Sequence, residues 1–471
     1  MANLKALAKD TAIYGMSSIV GRFLNYLLVP LYTHYMPKAS GDYGTSTNMY
    51  AWVALLLVIL TFGMETTMFR YANDSSEKPD TVFTTGLTLI GVLTAIFLAC
   101  LFGFITPLAD VLGYAQHPEF LLMMGVVLAQ DALQALPFSY LRFQKRPLKF
   151  AALKLLFIVF SISLNCIYFI WLGKTEVFYV FLINLWCTSL ITLLFVPDLL
   201  RIRWQFSWPL LRRMLSYSWP LLILGIAGIL NQTFDKIAFP LVMPGKQGEV
   251  ELGVYGACVK IAMIMAMITQ AFRYAYEPLV FAQSRDKDKN QTYALGMKFF
   301  IVFTLLAFLA VMAYMPLLRH MLGRDYWEGL RVVPIVMVAE IMMGIYFNLS
   351  FWYKLIDRTI YGAWFSLAGC AVLVAVNLLF IPQYSYMACA WGGVAGYGTA
   401  MVLSYLVGQR VNPIPYPMRS IAVYVLMTAL FYVAITLIPE AWPTALRLAA
   451  GTVPLLLFAA HIYWHELRRK R

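Results

Sequence analysis

The stretch VFTTGLTLIGVLTAIFLACLFGFIT, residues 82–106, carries no charged side chain from end to end. A helix needs about 20 predominantly apolar residues to cross the hydrocarbon core of a bilayer, so this segment reads as a membrane span. Comparable runs lie on both sides of it, near 12–36, 46–70, 119–141, 150–172, 178–200, 216–243, 253–280, 293–318, 328–353, 360–381, 387–409, 420–438 and 444–465. Together they predict an all-α integral membrane protein of fourteen transmembrane helices. The composition agrees: 61% of the residues are apolar and 13% charged, about half the charge that a soluble surface requires. That balance excludes a soluble enzyme, a nucleic-acid-binding protein and a disordered chain. The six cysteines lie in or beside apolar runs with no C-x-x-C pair, and read as small buried apolar residues rather than a disulfide or metal framework. MANLKALAKDTAIYG (1–15) lacks a small-residue cleavage site after a short apolar core, so it reads as leading into a retained first span.

The surplus of 36 basic over 23 acidic residues is a topology signal. With fourteen spans, one set of connecting segments holds 23 of the basic residues, among them Arg142, Lys145, Arg146, Lys149, Arg201, Arg203 and Arg358, while the other holds only five: Lys38, Lys174, Lys246, Arg319 and Arg324. The positive-inside rule then puts both termini in the cytoplasm, and the expected location is the cell inner membrane. Connections of about 15 residues at most leave no room for an extramembrane catalytic or nucleotide-binding domain. No G-x-x-x-x-G-K-[ST], H-E-x-x-H or G-x-S-x-G occurs. The chain reads as a non-enzyme without metal or cofactor. His461 and His465 share a helix face and read as an interfacial pair.

An internal repeat organises the spans. At an offset of 210, Gly15 aligns with Gly225, Ile19 with Ile229, Pro30 with Pro240 and Leu31 with Leu241; at 212, Gly41-Asp42-Tyr43-Gly44 aligns with Gly253-Val254-Tyr255-Gly256 and Glu65 with Glu277. The offset covers six spans, so the two halves run the same way through the membrane, related by a pseudo-two-fold along its normal. The expected organisation is a six-helix lobe over 1–200, a second over 201–410, and two extra helices with a basic tail over 411–471.

The segments SSIVGRFLNYLLVPLYTHYMPKASGDYG (17–44), SYSWPLLILGIAGILNQTFDKIAFPLVMP (216–244) and ELGVYGACVKIAMIMAMITQAFRYAYEPLVF (251–281) resemble the first, seventh and eighth spans of Wzx-type oligosaccharide flippases. These belong to the multidrug/oligosaccharidyl-lipid/polysaccharide exporter (MOP) superfamily, with the lipid II flippases and the multidrug extruders. The resemblance implies two six-helix lobes around a central cavity, working by alternating access. It also implies a cargo of undecaprenyl-pyrophosphate-linked oligosaccharide carried from the inner to the outer leaflet for surface polysaccharide such as O-antigen. The partners so implied are that cargo, membrane lipids, and a polysaccharide polymerase and chain-length regulator, with no nucleic acid. Coupling to protons, sodium or the membrane potential stays open.

Charges within spans are costly and mark function or pairing. The substrate-binding candidates are Arg22 and Asn25 in span 1, Asp235 in span 7, and Lys260, Gln270 and Arg273 in span 8. Guanidinium groups suit a pyrophosphate through bidentate hydrogen bonds. Glu65, Glu277, Glu340 and Asp131 are the gating or ion-coupling candidates. The bland alternatives are ion pairs: Arg22 with Asp131, Asp235 with Lys260, and Arg273 with Glu277. Glu65 and Glu277 could instead bridge between lobes to Arg70 or Arg273, and Lys154 reads as a snorkelling residue. Against the flippase stand a lipid II flippase, an ion-coupled multidrug extruder, which would want a carboxylate where span 1 has Arg22 and Asn25, and a membrane glycosyltransferase, ligase or polymerase, which would want a long outer loop.

Overall fold

The structure, a computed structural model, describes residues 26–74, 77–282, 289–354, 356 and 358–468. Among the described residues the regular structure is helical throughout, with no strand. The principal helices are α1 (Leu28–Tyr35), α2 (Asp42–Thr61), α3 (Met64–Ala72), α4 (Pro79–Gly103), α5 (Pro118–Phe143), α6 (Pro147–Cys166), α7 (Val177–Arg201), α8 (Trp208–Val242), α9 (Lys246–Ala282), α10 (Lys289–Ala313), α11 (Val333–Leu349), α12 (Ile360–Tyr384), α13 (Tyr386–Val411), α14 (Met418–Thr436) and α15 (Thr444–Ile462). Twelve spans among the described residues are long and apolar enough to cross a membrane.

Two of the fourteen expected spans stand apart from those twelve. The first, 12–36, is described only from residue 26, and α1 begins at Leu28. The other, expected at 387–409, is a complete helix, α13, of 26 residues. Its glycines lower its hydropathy and let it pack tightly. A Cβ on Gly369 of α12 would stand 2.6 Å from the Gly396 carbonyl oxygen, and one on Gly396 would stand 2.8 Å from that of Gly369. Such small-residue contacts let membrane helices bring their backbones together where no hydrophobic effect drives association.

The chain divides into two compact units, Met1–Gly253 and Val254–Arg471, with the boundary inside α9. In the first unit α2 packs on α8 and α5, and α5 also packs on α4 and α7. Its core gathers Met64, Met68, Phe83, Ile90, Leu136, Leu210 and Met214, all almost wholly buried. The single span expected at 46–70 is broken into α2 and α3, because Phe62 and Gly63 both take left-handed backbone (φ 50° and 66°). In the second unit α10 packs on α11, α14 and α15, and α11 packs on α13. Many of the outward-facing side chains are large and apolar, including Trp171 and Leu200, as a surface solvated by lipid requires. The cysteines are all free; four are buried, but Cys100 is exposed on α4, so for it the expected burial gives way to an apolar, lipid-facing position.

Candidate functional site

Helix α9 brings Gln270 and Arg273 one turn apart, both half-buried. The Arg273 guanidinium carbon lies 4.3 Å from the ring centroid of Phe347 on α11. Stacking of this kind uses the face of the guanidinium, whose N–H groups point outward in its plane. Aromatic rings surround the same stretch of α9: Phe272 lies 5.0 Å from Tyr276 and 4.9 Å from Phe300, and Tyr276 lies 5.8 Å from Phe351. One turn before Arg273, Thr269 is buried, and its hydroxyl has no hydrogen-bond partner among the described residues. A fixed cation, an amide and a wall of rings can bind an anionic, sugar-bearing group by charge, hydrogen bonding and stacking. The rings were the part that charge-based reading of the sequence missed; their spacing along 272, 276, 300, 347 and 351 becomes meaningful only once α9, α10, α11 and the short segment after α11 are placed together.

The remaining candidates fall in separate places. Arg22 and Asn25 lie outside the described residues. Glu277 is on α9, with its side chain outside the described set. Lys260 is half-buried on α9 and Glu340 half-buried on α11. In the N-terminal unit, Asp235 is held by its neighbour Lys236, whose Nζ reaches both carboxylate oxygens at 2.9 and 3.0 Å and also donates to the Gln232 carbonyl at 3.0 Å. Asp235 thus has a partner adjacent to it in sequence.

Glu65 also has a partner within the N-terminal unit. Its Oε2 accepts from the Ser139 hydroxyl at 3.0 Å and pairs with Arg142 at 3.3 Å, both contributed by α5. Arg70 instead lies 4.0 Å from the ring centroid of Tyr217. Asp131 interacts electrostatically with Lys154 across α5 and α6. The Lys154 ammonium also sits 4.0 Å from the centroid of Phe138.

A profile of the family described as polysaccharide biosynthesis protein matches residues 39–330. The chain belongs to that family. The matched region takes in the whole N-terminal unit from residue 39 and, in the C-terminal unit, both Gln270 and Arg273. No curated protein matches the chain. Solved structures show the fold that this family member shares with MOP-superfamily transporters. The lipid II flippase MurJ in an inward closed conformation is 12% identical, with a TM-score of 0.76 over 96% of this chain and 98% of that one. An inward-facing multidrug resistance MATE family transporter of the MOP superfamily is 16% identical, with a TM-score of 0.64 over 86% and 96%. A MOP superfamily transporter from Pyrococcus furiosus, described as having a binding pocket of reversed polarity, is 14% identical, with a TM-score of 0.53 over 88% and 96%. The family member is a multi-pass membrane protein with a MOP-type fold.

Proposed function

We propose that this protein is a flippase that carries undecaprenyl-pyrophosphate-linked oligosaccharide from the inner to the outer leaflet of the cytoplasmic membrane. The single observation that carries this reading is Arg273, a cation held against Phe347 in an aromatic stretch of α9, in a chain of the polysaccharide biosynthesis family. A guanidinium meets a pyrophosphate by paired hydrogen bonds, and sugars stack on rings. Arg22 and Asn25 are the companion cation and amide of this reading.

The direction of transport follows from charge. With both termini cytoplasmic, the inside-negative potential favours outward movement of an anion by roughly 2.3 kcal/mol per charge for each 100 mV. A pyrophosphate group therefore moves outward downhill, and the protein need only alternate its access. The likeness of fold to a lipid II flippase does not separate the two cargo classes; the family match favours polysaccharide.

The test is export of lipid-linked oligosaccharide in cells whose only flippase is this protein, with protein abundance as control. Arg273→Ala should abolish export at normal abundance. Arg273→Lys should restore part of it, because a point charge cannot reproduce the planar contact. Normal export by the Ala variant would refute the role given to Arg273. Cell-wall precursor export rescued in place of polysaccharide would reassign the cargo.

A further inference from the structure

At the basic end of the N-terminal unit, the ends of α4, α5 and α7 enclose a cleft of about 250 Å³. None of the residues proposed to bind the cargo lines it. Its floor is apolar, formed by Phe83, Leu141 and Phe195, each almost fully buried. Its rim carries four charged side chains: Asp80, Asp198, Arg146 and Arg201.

Both rim carboxylates are engaged within the protein. Asp80 accepts a hydrogen bond from the Tyr140 hydroxyl, and Asp198 pairs with Lys149. Both arginines are exposed, and among the described residues neither has a carboxylate partner. The turn that brings Arg146 to the rim is held in an unusual conformation. Lys145 adopts left-handed backbone (φ 54°), a region costly for a side chain with a Cβ. The turn closes through the amides of Gln144, on the Tyr140 carbonyl at 2.8 Å, and Arg146, on the Leu141 carbonyl at 3.0 Å.

Beyond Arg201 the chain leaves the cleft with Trp204, Phe206 and Trp208 all exposed, and Leu148 and Leu200 are exposed beside it. Tryptophans and basic residues at the end of a span mark the headgroup level of a bilayer. An apolar floor, two arginines without counter-ions and interfacial rings therefore coincide at one depth. Basic pockets between helices at the cytoplasmic face are suited to anionic lipid headgroups.

We propose that this cleft binds the phosphate headgroup of an anionic membrane phospholipid, such as phosphatidylglycerol, between Arg146 and Arg201. The floor takes the glycerol and upper acyl chains, and Trp204 and Trp208 anchor the site at the interface. Only its assignment to the cytoplasmic leaflet rests on the proposed orientation. The site is separate from the cargo residues, so its failure would leave the proposed function standing.

The test uses the purified full chain in neutral detergent, with phosphatidylglycerol as the probe. Affinity for the first bound lipid is read by native mass spectrometry. An arginine near an anionic surface contributes roughly a factor of five, so Arg146→Gln with Arg201→Gln should weaken binding about thirtyfold. Arg212→Gln with Arg419→Gln removes the same charge from other exposed positions and should change it less than twofold. Millimolar inorganic phosphate should not displace the lipid. Unchanged affinity in the first variant would overturn the proposal. So would equal loss in the second, which would mean general surface charge, or displacement by free phosphate, which would make the cleft a site for the ion alone.

Discussion

Gly44 on α2 and Gly253 on α9 cross with no space for a side chain between them. A Cβ on Gly253 would stand 3.0 Å from the Gly44 amide nitrogen, and one on Gly44 would overlap the Glu249 carbonyl. The two glycines belong to the paired motifs of the internal repeat, GDYG at 41–44 and GVYG at 253–256. The glycines of those motifs thus stand at a point where two backbones touch.

Gly44→Ala should therefore destabilise the protein by about 1–3 kcal/mol, the usual range for overpacking, and Gly253→Ala by less, because its nearest neighbour leaves more room. Gly91→Ala is the control. It lies inside α4 with nothing within 4 Å of the added carbon, so it should gain roughly 0.5–1 kcal/mol from helix propensity. Thermal unfolding in detergent measures all three. A Gly44→Ala protein as stable as the parent would show that the crossing relaxes freely.

How far the sequence could be read depends on the distance over which each signal acts. Span positions follow from runs of apolar residues, and even α13, poor in hydropathy because of Gly392, Gly393, Gly396 and Gly398, falls where 387–409 was expected. The break at Phe62–Gly63 was invisible, because no periodicity signals a phenylalanine with positive φ. Ion-pair partners are the least legible. Lys236 reaches Asp235, its neighbour, and Arg142 of α5 reaches Glu65; such choices depend on rotamers and on how helices are rotated. Hydrophobic pattern sets neither.

One such unforeseen pair fastens the C-terminal helices. Lys298 of α10 pairs with Glu466, which also accepts a hydrogen bond from the Tyr424 hydroxyl of α14 at 3.0 Å; all three residues are buried. Glu466→Gln removes the charge facing Lys298 and should cost about 3–5 kcal/mol. Tyr424→Phe loses one hydrogen bond to a charged group and should cost about 1.5–3 kcal/mol. Replacing the pair together, Lys298→Met with Glu466→Leu, should recover most of the loss, since apolar packing removes the desolvation penalty. A double-mutant cycle on unfolding midpoints checks this, and a pair variant no better than Glu466→Gln would contradict it.

The orientation can be tested independently of transport. In a variant without native cysteines, Lys174→Cys should react with an impermeant thiol reagent added to intact cells. Arg203→Cys and Arg358→Cys should react only after the membrane is opened. All three positions are exposed, so access and not burial decides the result. Protection of Lys174→Cys in intact cells together with labelling of Arg203→Cys would invert the proposed topology.

The last prediction separates the ring beneath Arg273 from the charge above it. Phe347 has its centroid 4.3 Å from the guanidinium carbon, close enough to fix the plane of the group. A cation–π contact contributes about 0.5–2 kcal/mol depending on desolvation, which sets the scale of the loss. Phe347→Leu keeps apolar volume but removes the ring face on which the guanidinium stacks. Export of lipid-linked oligosaccharide should then fall between about twofold and thirtyfold at unchanged abundance. Phe347→Tyr keeps the ring face and should retain most of the activity. In an Arg273→Lys background the loss from Phe347→Leu should shrink, because an ammonium has no plane to orient. Equal losses in the two backgrounds would show that Phe347 serves packing alone, and that the orientation of Arg273 is set by its other neighbours.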